Sequence, residues 1–492
     1  MKYIQPQNVW RSLVNLSVFY PAIVAAGGVL VAYLCTLAPS LFALDSPELT
    51  TAAYTLGLVH SPGYPVYLIL VHAFQYLPIG DIAYRSNLFS AVANTGTVFL
   101  LILLIRQMGG RTLPALTAGL SFGFCYYAWF VSVITEVYTL QGLFLVGMLL
   151  LLWHWRTAGQ LYALFLAVGI AGLAAANNPA TSLWWPGLGL LALTTSYRRQ
   201  LTLRHGIYLV GIGVLSLTPI LYLPWRSAAH PAFVYIGHYD VTGTFQSVDL
   251  TNLRTLIWYI TGGQFRHLAF AYAPHEILQE SIRVLTWLWA AFLGIGIPLG
   301  LWGLWTLWRH TRLWAIGLLG TAVPHGAFFI AYRVPDKEMM LLPVFLVWAV
   351  LIGIGLNQTT QVLPQRLVPG ILVLPLSLLL VNGPLVNVND MWMLHNTAHA
   401  RLQAAAPNAM YLAPWGDAAA MKYHQIVLQT RSDVAAINIL LTAPETLPLL
   451  VDEALAAERP IYITYQDTRL VRAYHMLPIP YGYQITAKRG TP

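Results

Sequence analysis

The stretch Val29-Leu30-Val31-Ala32-Tyr33-Leu34-Cys35-Thr36-Leu37-Ala38-Pro39-Ser40-Leu41-Phe42-Ala43-Leu44-Asp45-Ser46-Pro47-Glu48 closes an apolar run that opens near Ser12 and ends on two carboxylates. A helix needs about 20 mostly apolar residues to cross a bilayer, and this run exceeds that. It is too long for a signal-peptide core and no small-residue cleavage site ends it, so it reads as a retained first membrane helix. Acidic groups at the edge of hydrocarbon are expensive, which makes Asp45 and Glu48 functional candidates from the outset.

The rest of the chain agrees with a membrane setting. Of 492 residues, 57% are hydrophobic and only 9% charged, against roughly 25% charged in soluble domains. So few charges cannot coat a soluble globule, and so much apolar content excludes disorder. Mean hydropathy is +0.62 and the pI is near 9.3. Cys35 and Cys125 both lie in apolar runs and read as buried small hydrophobes rather than a disulfide or metal pair.

Apolar runs predict spans near 14–38, 87–105, 113–133, 139–155, 161–175, 182–196, 206–223, 284–307, 313–332, 340–356 and 367–385, about eleven in all. The run 64–78, bounded by Pro65 and Pro78, is short and reads as interfacial or re-entrant. With Lys2 and Arg11 inside, alternate loops carry Arg106 and Arg111, Arg156, Arg198, Arg199 and Arg204, Arg309 and Arg312, and Arg366. All 18 acidic residues then fall on the opposite side. The net charge of +8 is therefore largely a topological signal, and no nucleic-acid partner is implied.

Two outer segments are long, 39–86 and 224–282. The chain divides into a membrane module over 1–390 and an outer unit over 391–492, whose last stretch, 400–492, holds 15 of the 44 charges. Its pattern predicts strand 409–413, helix 417–429, strand 434–440, helix 444–457 and strand 460–465, a small α/β unit with a parallel sheet.

The outer segments hold the candidate site. Asp45-x-x-Glu48 also fits a capping box for a helix starting at Ser46, so the pair can be structural, functional or both. His60-Ser61-Pro62-Gly63-Tyr64-Pro65 is a turn leading into an aromatic apolar stretch. His60 and Arg85 are its polar members able to reach a phosphate. Glu136, followed by Tyr138, sits where the next helix begins, a position that also suits a simple cap. Asn177-Asn178-Pro179 reads as structural. Arg226, in Tyr222-Leu-Pro-Trp-Arg-Ser, and Arg266 lie at membrane exits, where an arginine either snorkels to lipid or clamps a phosphate. Arg333, Asp336, Lys337 and Glu338 complete the outer rim. No D-x-D is present, which gives a tightly chelated divalent metal little support, and no cofactor is expected.

This order of residues resembles the GT-C superfamily of membrane glycosyltransferases, and within it the transmembrane protein O-mannosyltransferase-like family. The resemblance rests on Asp45-Ser-Pro-Glu48, His60-Ser-Pro-Gly-Tyr-Pro, Arg85-Ser-Asn-Leu-Phe-Ser, Glu136-Val-Tyr and Tyr222-Leu-Pro-Trp-Arg226-Ser. It covers residues 30–270 well and the remainder loosely. Pro47 departs from the family pattern, where a small residue such as Gly is expected.

The resemblance implies an all-α polytopic GT-C-like fold carrying the small C-terminal α/β unit outside the cytoplasm, in the plasma membrane or, in a eukaryote, the ER. It implies an inverting transferase moving a sugar, mannose by family default, from a polyprenyl-phosphate donor to a protein, lipid or glycan hydroxyl. Asp45 becomes the general base, with Glu48 second. Glu136 orients the acceptor or Asp45. Arg226, assisted by Arg85, Arg266 or His60, stabilises the leaving phosphate, while Tyr64 and Tyr138 line the substrate path. The competing reading is a transporter or flippase of lipid-linked sugars. Transporters place ionisable residues near the midplane within repeated halves, whereas here they gather at one face and no repeat is visible.

Overall fold

The computed structural model describes residues 16–489, and the side chains from Phe19 onward. Lys2 and Arg11, which anchor the expected topology, lie outside the described residues. The chain is mostly helical. Its first elements are α1 (Leu16–Thr36), α2 (Ser46–Thr55), α3 (Pro65–Phe74) and α4 (Ile82–Gln107).

Each apolar run becomes a helix, and against the expected eleven spans seven helices among the described residues are long and apolar enough to cross a membrane, with Pro65–Phe74 and Leu161–Asn177 as shorter apolar helices. An eighth appears if Pro274–Ala291 and Gly296–His310, bent by 96° at their junction, count as one broken span. The remaining runs break up. Residues 113–133 divide into Thr112–Gly123 and Tyr126–Phe130, and 182–196 holds only the nine-residue helix Trp185–Leu193 behind a 3-10 turn. The stretch 64–78 forms the short α3, as its flanking prolines suggest. Lipid takes the place of a core at the periphery. Val210, Val214, Leu215 and Leu221 of one span and Leu376, Leu380 and Leu385 of another are exposed, a pattern that fits hydrocarbon as the solvent. Cys125 is buried as expected, but Cys35 is exposed on α1, among residues such as Val31 and Leu34 that also face outward.

Inside the bundle, small residues let backbones touch. Gly303 of Gly296–His310 faces Leu351 of Leu342–Val362, and Gly355 of the latter faces Leu299. A Cβ on either glycine would strike the opposing carbonyl oxygen.

Polar residues of the outer segments act as ties. The Asn87 amide donates to the carbonyls of Ala38 and Ser40, both at 2.9 Å, and its oxygen accepts from Thr135 at 2.6 Å. Ser90 Oγ accepts the Glu136 N–H at 3.2 Å. Thus α4 staples the exit of α1 to the loop bearing Glu136. Asp81 caps α4 by accepting the Tyr84 N–H at 2.6 Å, and Asn178 caps the turn after Asn177.

A hairpin of β1 (Gly237–Tyr239) and β2 (Phe245–Ser247) lies in the second long outer segment. The C-terminal unit contains β3 (Met410–Ala413), β4 (Ala435–Asn438), β5 (Ile461–Ile463), β6 (Tyr474–Ile479) and β7 (Gly482–Lys488) in the order β4-β3-β5-β7-β6. The three anticipated strands pair in parallel, with helices Trp415–Ile426 and Thr446–Ala456 between them. The sheet is mixed, however, because β7 and β6 add an antiparallel hairpin beside β5. Helix Trp415–Ile426 packs directly on α2, so the C-terminal unit closes over the segment that follows α1.

Candidate active site

Helix α2 is enclosed from Ser46 to Ala53. Asp45 is its N-cap residue, yet its side chain makes no capping hydrogen bond. The capping-box reading therefore does not hold. Both carboxylates turn to other partners.

Glu48 is fully buried and saturated. Its Oε1 accepts the His60 backbone N–H at 2.6 Å, its Oε2 accepts the Trp415 indole N–H at 2.7 Å, and His60 Nδ1 lies 3.0 and 3.1 Å from the two oxygens. The other face of the imidazole meets the second carboxylate: His60 Nε2 stands 3.6 Å from Asp45 Oδ2. Asp45 differs from Glu48 in keeping 26% of its side chain exposed. It is the carboxylate of the pair that a substrate can reach.

The electrostatics follow from this layout. Burial disfavours a charged His60, but the carboxylates of Glu48 and Asp45 outweigh it and push the imidazole up to about 9. At neutral pH His60 holds its proton between the two carboxyl groups. Asp45 is raised above the usual carboxylate range, mainly by burial and also by Glu48, with His60 and the Trp415 indole opposing. Glu136 is buried and raised well above its ordinary value by desolvation, with Asp45 and Asp336 adding to it. Asp336 is raised by burial and by Asp45. Four carboxylates thus face one region, held by one imidazolium.

Asp45, Glu48 and His60 each offer a ligand atom within 4.8 Å of the others, a spacing that could hold a metal ion. The protonated His60 already serves as the cation between the carboxylates, and an ion would have to displace that proton.

Aromatic rings wall the site. His60 makes edge contacts with Tyr64, Phe265 and Trp415, at centroid separations of 5.5, 5.8 and 5.8 Å. Gly63 has a φ of +98°, and a Cβ there would lie 2.7 Å from the Tyr259 ring, so the turn requires glycine. Tyr259 in turn donates to the Val59 carbonyl at 2.5 Å. Gln264 accepts the Ser61 N–H at 3.1 Å, which brings the Phe265-Arg266 turn onto His60. Tyr138 is buried beside Glu136.

The arginines divide. Arg85 spends its guanidinium on the carbonyls of Gln75, Ile79 and Gly80, closing the turn after α3. Arg226 donates to the carbonyls of Leu56 and Thr55, at 2.5 and 3.1 Å, and so caps the C-terminal end of α2. Asp45 stands at the other end of this ten-residue helix, about 15 Å away at 1.5 Å per residue. Arg266 makes an exposed hydrogen bond to Thr261 Oγ1 and follows Phe265, whose ring meets His60, in the chain. Beyond it, Lys337 forms a buried ion pair with Glu280, and Arg333 pairs with Glu276 at 2.7 Å.

Trp415 is not among the candidates from the sequence, Gln264 and Phe265 precede Arg266 without a role of their own, and Asp336 is placed only on the outer rim. No local pattern marks Trp415, since its partner lies 367 residues away. Asn87 and Ser90 sat inside a quoted motif, but their role as ties shows only in the fold.

Residues 45–201 match the family model described as the N-terminal domain of the protein O-mannosyl-transferase TMEM260. The chain is 32% identical over 207 residues to protein O-mannosyl-transferase TMEM260 of Mus musculus, covering 39% of this chain and 28% of that protein. It is 25% identical over 134 residues to the Dictyostelium discoideum protein O-mannosyl-transferase tmem260, covering 26% and 16%. The match thus spans less than a third of either relative. Among solved structures, ArnT from Cupriavidus metallidurans bound to undecaprenyl phosphate aligns over 94% of this chain and 97% of its own, with TM-score 0.59 and 12% identity. The Archaeoglobus fulgidus oligosaccharyltransferase in complex with Zn and sulfate aligns over 90% and 68%, with TM-score 0.53 and 12% identity. The matched family region opens at Asp45 and runs through Glu48, His60, Tyr64, Arg85, Glu136 and Tyr138. Residues 45–201 are thus similar to the N-terminal domain of the TMEM260 protein O-mannosyl-transferases, and the chain as a whole has an ArnT-like fold.

Proposed function

We propose that the protein is an inverting glycosyltransferase that moves mannose from a polyprenyl-phosphate donor to a hydroxyl of a protein acceptor at the outer membrane face. The observation that carries this reading is the division of labour between two neighbouring carboxylates. Glu48 is buried with its oxygens occupied, whereas Asp45 is part-exposed with a raised pKa. A raised carboxylate with an accessible oxygen is what a general base requires.

In the proposed step the acceptor oxygen attacks the anomeric carbon. Its proton passes to Asp45 as the new C–O bond forms. The old bond to the phosphate oxygen breaks on the opposite side, and the electron pair leaves with the polyprenyl phosphate. His60 keeps Asp45 ionised between turnovers. Arg266, exposed and next in sequence to the Phe265 that packs on His60, meets the charge growing on the phosphate. Glu136 and Asp336, both biased toward the neutral acid, can donate hydrogen bonds to sugar hydroxyls. Arg226 and Arg85 act as positioning residues, the first by fixing α2 and the second by fixing the turn between α3 and α4.

The N-terminus then faces the cytoplasm, the 391–492 unit lies outside, and the membrane is the plasma membrane or the ER. The outer unit, whose Trp415 reaches Glu48, flanks the acceptor side. Protein acceptors are favoured over lipid or glycan by the description of the curated relatives.

The test is a donor comparison with the purified full chain and a serine/threonine-rich peptide. Labelled mannose should transfer from polyprenyl-phosphate mannose and not from a nucleotide-mannose. Transfer from the nucleotide sugar, or from no polyprenyl-phosphate sugar, would contradict the reading.

A further inference from the structure

Away from the carboxylate site, three histidines meet where the outer unit touches the first outer segment. His395 and His399 are one turn apart on the Met393–Ala404 helix, so they share a face. His424 comes from the Trp415–Ile426 helix packed beside it. The ring centroids of His395 and His424 are 4.6 Å apart, and those of His399 and His424 are 5.6 Å apart. Imidazoles bound to one tetrahedral ion through metal–nitrogen bonds of about 2 Å have centroids about 5 Å apart. The observed spacings lie near that value, although the three ring nitrogens do not yet converge within 4.8 Å of one another, so the exposed His399 has to rotate inward to complete the set.

Two features go beyond proximity. His424 is 0% exposed, and neither ring nitrogen makes a hydrogen bond of good geometry, the His395 backbone offering only a weak contact. A buried imidazole normally satisfies at least one nitrogen, and leaving both bare is costly. Second, the tautomer of His395 is set. The Ser40 hydroxyl donates to Asp81 Oδ2 at 2.5 Å, which leaves Ser40 Oγ to accept from His395 Nδ1 at 3.0 Å. The proton then sits on Nδ1, and Nε2 presents a lone pair. Orientation of a ligand histidine by a hydrogen-bonded carboxylate chain is the common second shell of metal sites.

We propose that His395, His399 and His424 bind a divalent first-row transition ion of the Zn²⁺ class, with water in the fourth position. Three neutral imidazoles suit such an ion rather than Mg²⁺ or Ca²⁺. His399 is exposed and provides the entry side, closing on the ion by rotation of its side chain. The bound ion fastens the Met393–Ala404 helix to the helix whose first residue, Trp415, holds Glu48. Through His395, Ser40 and Asp81 it also ties the outer unit to the exit of α1.

The test uses the full chain in detergent, stripped with a chelator and titrated with Zn²⁺ alone. The wild type should bind one equivalent that His399→Ala removes, with a melting temperature raised by several degrees in the wild type only. His399 is exposed, so this variant should fold. Ser40→Ala should weaken the same equivalent about tenfold. Co²⁺ in place of Zn²⁺ should give an intense tetrahedral visible band that His399→Ala abolishes. Zn²⁺ binding unchanged by His399→Ala would place the ion elsewhere, as on Asp45, Glu48 and His60, and would overturn the proposal. Absence of any binding at micromolar Zn²⁺ would also overturn it.

Discussion

Trp415 Nε1 donates to Glu48 Oε2 at 2.7 Å, joining the first residue of an outer-unit helix to a buried carboxylate of the membrane module. A hydrogen bond to a charged acceptor contributes about 1.5–3 kcal/mol. It helps hold Glu48 against His60, and so sets where His60 meets Asp45. Trp415→Phe keeps the ring and removes the donor. It should lower kcat about tenfold with donor KM little changed, as measured by steady-state transfer kinetics.

His60 opposes the upward shift of Asp45, so its loss should move the acid limb of activity. Without the imidazolium the Asp45 carboxylate is less stabilised, its pKa rises further, and the base is protonated at a higher pH. The acid limb of the kcat–pH profile should therefore move to higher pH in His60→Gln. An unmoved limb would mean that another group is being titrated.

The same histidine carries a stability signature. Its pKa rises from 6.5 to about 9 on folding. The stabilisation is then fully present below pH 6.5 and is lost as pH rises through 9, amounting to about 3 kcal/mol at most. Thermal unfolding of the full chain should show a melting temperature that falls across this window. The fall should be absent in His60→Gln, which starts from a lower plateau.

Arg226 and Arg266 should separate experimentally. Arg226→Ala removes two hydrogen bonds from the end of α2 and should lower the melting temperature, at a cost of about 1–3 kcal/mol. Arg266→Ala touches no buried bond and should leave stability unchanged while raising the donor KM about tenfold. The reverse pattern would return the phosphate-binding role to Arg226.

Much of this was legible in the sequence, for physical reasons. The carboxylates at the exit of α1 announced themselves because charge beside hydrocarbon is rare, and β3, β4 and β5 showed through their apolar alternation with helices. The span count differs where apolar runs such as 113–133 break at Phe124-Cys125, because hydropathy reports burial or lipid contact and not helix continuity. The arginine roles were ambiguous for a related reason. An arginine at a membrane exit offers the same donors to a phosphate as to the end of a helix, and only the fold shows that Arg226 faces Leu56 and Thr55. Trp415 and the hairpin of β6 and β7 were invisible because their meaning lies in partners distant in sequence or in a short exposed pairing.

In the proposed reaction Asp45 takes the acceptor proton. Asp45→Asn keeps the shape and removes the basicity, and general-base catalysis is worth about 10²–10⁴-fold. Transfer from polyprenyl-phosphate mannose should fall by at least a hundredfold in Asp45→Asn, with donor binding and melting temperature near wild type. Transfer at a rate within a few-fold of wild type would contradict the account.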